Sequence, residues 1–146
     1  MPISSETALL DTNVLVYAYD TASPHHARCR ALRDRAVRGE ADVCLAPQVL
    51  FEFFAVVTNP SRVASPVAAQ VALSEMEKLS KDFAFVTPPS DVHERVVALL
   101  RQTGFGSRHV YDVVMAATLL ANGLTNIYTY DAERFSKIPG VTVLTP

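Results

Sequence analysis

Four acidic residues sit where a charge needs a reason. Asp11 ends the apolar run Ala8-Leu9-Leu10, and Glu52 lies inside Val49-Leu50-Phe51-Glu52-Phe53-Phe54. Asp112 opens a nearly all-apolar stretch that runs to Asn122-Gly123, and Asp131 directly follows Ile127 to Tyr130. Most of the other acids have polar company; Glu75 and Glu77 stand beside Lys78 and Lys81 and read as a solvated helix face. Two carboxylates about 4 Å apart repel by roughly 4 kcal/mol at an effective dielectric of 20, so four in one pocket call for a cation. With no Cys or His among them, the donor set is oxygen alone, which suits Mg²⁺ or Mn²⁺ rather than zinc. Each acid also has a structural reading. Asp11 and Asp112 can cap helices, Glu52 can pair with an arginine at a buried boundary, and Asp131 can make the turn into Ala132-Glu133. The functional reading draws its weight from the four occurring together.

Residues so far apart meet only if the fold brings their elements to one end of one sheet. Five short runs rich in strand formers read as strands: Ala8-Leu9-Leu10, Val43-Cys44-Leu45, Phe83-Ala84-Phe85-Val86, Ile127-Tyr128-Thr129 and Val141-Thr142-Val143-Leu144. Between them lie helical stretches at about 13–20, 24–38, 47–58, 66–80, 89–102 and 110–122. Strands separated by helices imply right-handed crossovers and a mostly parallel sheet covered on both faces, an α/β/α sandwich. Such sheets bind ligands beyond the carboxyl ends of their strands, which is where Asp11 and Asp131 fall; Glu52 lies about two turns into the helix after another strand. Asp112, near a helix N-terminus, is favoured there by the helix dipole.

Composition bounds the rest. The 146 residues fit one domain spanning 1–146, and 49% hydrophobic with 19% charged residues provides a core and excludes global disorder. No apolar run spans a bilayer, and the N-terminal MPISSETALLD has no secretory pattern. Cys29 and Cys44 form neither a metal-ligand spacing nor a disulfide framework, so a reduced cytoplasmic setting is expected. A net charge of −2 excludes a strongly basic polyanion binder while permitting a local basic patch. In 24–38, Ser23 caps and Pro24 takes the first turn, with His25, Cys29, Leu32 and Ala36 on one buried stripe. Arg28, Arg30, Arg33, Arg35 and Arg38 flank that stripe as a solvated face, with RNA contact as the competing reading.

The ordered set of motifs resembles the PIN-domain ribonucleases, and within them the VapC-type toxins of toxin–antitoxin pairs. The pieces are Leu10-Asp11-Thr12-Asn13-Val14-Leu15-Val16-Tyr17, Pro47-Gln48-Val49-Leu50-Phe51-Glu52-Phe53, Tyr111-Asp112 through Ala116-Ala117, and Thr129-Tyr130-Asp131 with Phe135. They cover essentially the whole chain. Tyr130 stands where that family often has Asn. The resemblance implies a three-layer PIN-like fold in which Asp11, Glu52, Asp112 and Asp131 are the catalytic and metal-holding residues for one or two Mg²⁺ or Mn²⁺ ions. It makes Asn13 and Thr129 supporting hydrogen-bonding groups. It further implies hydrolysis of RNA phosphodiester bonds, in single-stranded or structured RNA, to 5′-phosphate and 3′-hydroxyl products. A homodimer held inactive by a small antitoxin is the expected assembly.

Rival readings remain. A PIN-like module could bind RNA or protein without turnover. A phosphatase of the haloacid-dehalogenase type would want a second acid two positions after Asp11, where Asn13 stands, and a response-regulator receiver would want a phosphate-facing lysine where Lys137 is badly placed. Arg108 and His109, after the Thr103-Gly104-Phe105-Gly106-Ser107 loop, are candidate phosphate contacts as well as ordinary surface charge; the glycines suit a mobile rim. Phe51, Phe53 and Phe54 exceed what one helix face buries, so helices 24–38 and 47–58 are expected to line an apolar groove for a partner helix unless the 66–80 helix absorbs them.

Overall fold

The computed structural model describes residues 2–146. Its elements run β1 (Ala8–Leu10), α1 (Thr12–Tyr17), α2 (His26–Val37), β2 (Val43–Leu45), α3 (Pro47–Val57), α4 (Ala69–Asp82), β3 (Ala84–Phe85), α5 (Val92–Thr103), α6 (Val110–Ala121), β4 (Asn126–Tyr128), α7 (Ala132–Phe135) and β5 (Thr142–Leu144). A single 3₁₀ turn, Ser107–His109, leads into α6. The five strands form one sheet in the order β3-β2-β1-β4-β5, and every pairing is parallel. β1 is central and buried throughout, as a strand covered on both faces must be. Helices α1 to α4 pack among themselves, as do α5, α6 and α7, giving one layer on each side of the sheet. The fold is the expected three-layer α/β/α arrangement.

The connections run one way from β1 through β2 to β3, then jump back past β1 to β4 and on to β5. The switch point therefore lies between β1 and β4, where Leu10 is in register with Tyr128. Open α/β sheets form their ligand crevice at such a point.

Several boundaries differ from expectation. Ser23 and Pro24 precede the helix rather than starting it. The Ser23 hydroxyl accepts from the His25 N–H at 3.1 Å and its carbonyl from the His26 N–H at 3.1 Å, a turn that feeds α2 at His26. The stripe itself holds, with Cys29 and Leu32 buried and His25 and Ala36 half-buried. Arg30 and Arg33 pair with Asp34, Arg38 pairs with Glu40, and Arg33 also lies over the Tyr19 ring at 4.8 Å, so these arginines mostly dress a solvated face. Thr129 falls one residue beyond β4, although its N–H still donates to the Leu144 carbonyl of β5 at 3.0 Å. Both cysteines are buried free thiols, and burial pushes Cys44 up to about 12. No helix among the described residues is long and apolar enough to cross a membrane.

The expected groove lies elsewhere. α1 packs against both α2 and α3, so those two helices do not line an opening together; the apolar recess lies between α3 and α4, lined by Phe51, Phe54, Leu73 and Met76. The three phenylalanines divide by helical angle: Phe53 is 1% exposed, Phe54 is half-buried and Phe51 is 66% exposed. Phe53→Ala should therefore cost about 3–5 kcal/mol in urea denaturation, whereas Phe51→Ala should stay within about 0.5 kcal/mol of the parent. Equal losses at the two positions would contradict this packing.

Candidate active site

β1 carries Asp11 to the switch point, and the chain turns there into α1. The Asp11 N–H donates to the Tyr128 carbonyl at 3.0 Å, so backbone pairing with the end of β4 fixes its position. Its side chain is the N-cap of α1, with Oδ1 accepting from the Thr12 N–H at 2.7 Å. Oδ2 accepts from the Thr129 hydroxyl at 2.7 Å. Capping and facing the site are thus compatible roles for one carboxylate. Asp11 is only 6% exposed, and burial pushes its pKa up to about 6 despite these two donors; Asp131 and Asp112 push the same way through charge repulsion.

The polar residues around Asp11 bind it to its neighbours. Thr129 Oγ1, while donating to Asp11, accepts from the Asp131 N–H at 2.9 Å and from Asn13 Nδ2 at 3.3 Å. Asn13 Nδ2 also donates to Asp131 Oδ2 at 3.2 Å, and Asn13 Oδ1 accepts from the Tyr130 N–H at 3.4 Å. Asn13 and Thr129 therefore hold the β4–α7 turn against the start of α1. The amide of Asn13 serves that junction and supplies no second acid.

Glu52 reaches the same place from α3. Its Oε2 accepts from the Thr12 hydroxyl at 2.7 Å, and its Oε1 accepts from Gln48 Nε2 at 2.8 Å. Gln48 Nε2 donates in addition to the Tyr111 carbonyl at 3.2 Å, linking α3 to the first turn of α6, which bears Asp112. Asp112 is half-buried and its pKa is raised by burial, opposed by the charge of Arg134 and reinforced by Asp131. All four acids line one cavity of about 480 Å³, together with Thr12, Asn13, Asp20, Arg62 and Arg134.

Arg134 is the residue that sequence reasoning missed. It lies one turn along from Asp131 at the end of α7, pairs with Asp131, and donates from Nη1 to Asp112 Oδ2 at 2.8 Å. The signal was an i, i+3 acid–base pair in Asp131-Ala132-Glu133-Arg134, a spacing common on any helix surface. Thr12 and Gln48 were also missed; Gln48 precedes Glu52 by one helical turn, the spacing at which such pairs hydrogen-bond. His109 Nδ1 lies 3.7 Å from Asp112 Oδ2, and Arg108 is exposed with no ion-pair partner among the described residues. Lys137 pairs with Glu133 on the surface, at 3.3 Å.

The donor chemistry of these acids suits a hard divalent cation: oxygen donors throughout, on carboxylates raised chiefly by burial and further by their neighbours' charge at Asp11 and Asp112. Among the described residues, no three acidic, histidine or cysteine side chains stand in ready coordination geometry. The Arg134 guanidinium bridges Asp112 and Asp131. A cation entering here would compete with Arg134 for both.

The PIN domain family model matches residues 8–141. Ribonuclease VapC48 of Mycobacterium tuberculosis is 28% identical over 147 residues, covering 97% of each chain. Among solved structures, the sarcin–ricin-loop-cleaving toxin VapC20 of Mycobacterium tuberculosis superimposes with a TM-score of 0.69 at 18% identity, over 95% of this chain and 99% of its own. A toxin–antitoxin complex from Klebsiella pneumoniae includes a chain with a TM-score of 0.61 at 21% identity, over 95% and 97% respectively.

Proposed function

The chain belongs to the PIN-domain family, and on that premise we propose that it is a metal-dependent endoribonuclease, the toxin of a toxin–antitoxin pair. The observation that carries this reading is the cavity at the β1/β4 switch point, where Asp11, Glu52, Asp112 and Asp131 meet. The similarity to a ribonuclease over 97% of each chain supports the same substrate class. Likeness to a chain from a toxin–antitoxin complex supports a small inhibitory protein as partner.

Asp11, Glu52, Asp112 and Asp131 would hold Mg²⁺ or Mn²⁺. The ion would supply Lewis acidity, polarising the scissile phosphate and activating water at neutral pH. The chain's own contribution is position. Thr129 and the Thr12 N–H fix the Asp11 carboxylate, Thr12 and Gln48 fix Glu52, and Asn13 fixes Asp131. None of the four acids need act as a covalent nucleophile. Arg134, which lines the cavity beside the acids, would meet an incoming phosphate, since its planar fork suits phosphate as well as carboxylate.

The test is cleavage of RNA by purified protein in Mg²⁺ or Mn²⁺. Chelation should abolish product formation and added ion should restore it, and Asp112→Asn should remain inactive at every ion concentration. Cleavage that survives chelation would overturn metal dependence. RNA binding with no cleavage under any ion would favour the module that binds without turnover.

A further inference from the structure

Beside the acidic cavity lies a second, of about 950 Å³, and the two share Arg62, Asp131 and Arg134 as common walls. Their charges are opposed. The first is lined by five carboxylates and two arginines, the second by three arginines and two carboxylates. In the second cavity the carboxylates are already engaged, Asp131 with Arg134 and Glu133 with Lys137. That leaves Arg62 and Arg108 without ion-pair partners among the described residues, both exposed and both facing this space. Arg62 comes from the loop between α3 and α4, and Arg108 from the 3₁₀ turn ahead of α6. Neither segment contributes one of the four acids, so the two arginines are not needed to assemble the acidic cluster.

A polyanion approaching five carboxylates is repelled unless its charge is held close by. We propose that the second cavity seats the sugar–phosphate backbone of single-stranded RNA next to the bond being cut, with Arg62 and Arg108 as phosphate-positioning residues. The proposal rests on the ribonuclease reading of the neighbouring acids. Guanidinium groups hold phosphate oxygens through paired charge-assisted hydrogen bonds, and they do so without reading sequence. Arg62, lining both cavities, would sit at the seam, and Arg108 would hold the strand further out. A flexible single strand can bend to follow this path from acid floor to basic wall, which a stacked duplex cannot do without distortion.

The experiment measures binding and cutting separately. A fluorescent oligouridylate is titrated with parent protein, Arg62→Ala, Arg108→Ala and the double variant in chelator, and the same preparations are assayed for RNA cleavage with Mn²⁺. Arg101→Ala is the charge control, because Arg101 is exposed on α5 without an ion-pair partner among the described residues. Each single cavity variant should bind about ten-fold more weakly, and the pair about a hundred-fold, the loss expected for a charge-assisted contact. The slope of log K against log salt should fall by about 1.4 for the pair, from roughly 0.7 per phosphate contact on a single strand. Arg→Lys at either position should restore much of that slope. Parent-like affinity and slope in the double variant, or an equal loss in Arg101→Ala, would overturn the subsite. A parent protein that binds through both arginines yet cuts no RNA would keep the subsite and overturn the ribonuclease reading.

Discussion

Asp11→Asn is expected to lose RNA cleavage by about a thousand-fold or more while making the metal-free protein more stable. The loss follows if several kcal/mol of transition-state stabilisation depend on an ion that Asp11 helps to hold. The gain follows from its burial. A carboxyl ordinarily near 3.8 is pushed up to about 6 in the folded chain. At pH 7 both folded and unfolded forms are ionised, and the folded state carries an electrostatic penalty on the order of 3 kcal/mol. The sign is that of a raised acid: its share of stability is fully present below about pH 4 and is lost as pH rises through about 6. Asparagine has no charge to bury. It keeps an acceptor for the Thr12 N–H but gives up part of the bond from Thr129, whose hydroxyl oxygen already accepts from Asp131 and Asn13 and cannot reverse to take the new amide. A net gain of about 1–3 kcal/mol at pH 7 is expected, shrinking toward pH 4. Denaturant unfolding in chelator at several pH values measures it. A variant less stable than the parent at pH 7 would show that Asp11 is retained for structure.

How much of this was legible in the sequence depends on the range of each signal. Asp11, Glu52, Asp112 and Asp131 could be singled out because an acid in apolar company is a local anomaly, and the parallel-sheet rule supplied their meeting place. The five strands were legible although each is only two or three residues long, because helices separate them. Thr129 was read as part of a strand, and its N–H does continue the pairing with β5; its value lies in a hydroxyl shared among Asp11, Asn13 and Asp131, which a strand pattern alone does not reveal. Arg134 was invisible because arginine near a helix end is ordinary; only its approach to Asp112, 22 residues away in sequence, gives it meaning. The misplaced groove has a similar cause. Helical periodicity shows that Phe51 and Phe53 face different ways, but which helix covers which face depends on α1 sitting between α2 and α3.

Arg134→Gln is expected to act in opposite directions with and without a divalent ion. In chelator, Asp112 and Asp131 lose the guanidinium that bridges them. Arg134 and Asp131 are each partly exposed, so the destabilisation should be modest, about 1–2 kcal/mol. Asp112 is raised by burial and held back chiefly by Arg134, so removing that charge raises it further. The deficit should therefore shrink as pH falls and Asp112 takes up its proton. With Mn²⁺ the balance reverses. An ion entering the wild-type site must displace an arginine from two carboxylates, whereas in the variant they are free. Mn²⁺ affinity by calorimetry should rise about ten-fold, a difference of about 1.4 kcal/mol, and the Tm gain at saturating ion should exceed that of the parent. RNA cleavage should nevertheless fall if, as proposed, this side chain meets the phosphate. Unchanged Mn²⁺ affinity would mean that the ion does not draw on Asp112 and Asp131. Tighter Mn²⁺ binding with parent-like cleavage would make Arg134 a placeholder for the ion and nothing more.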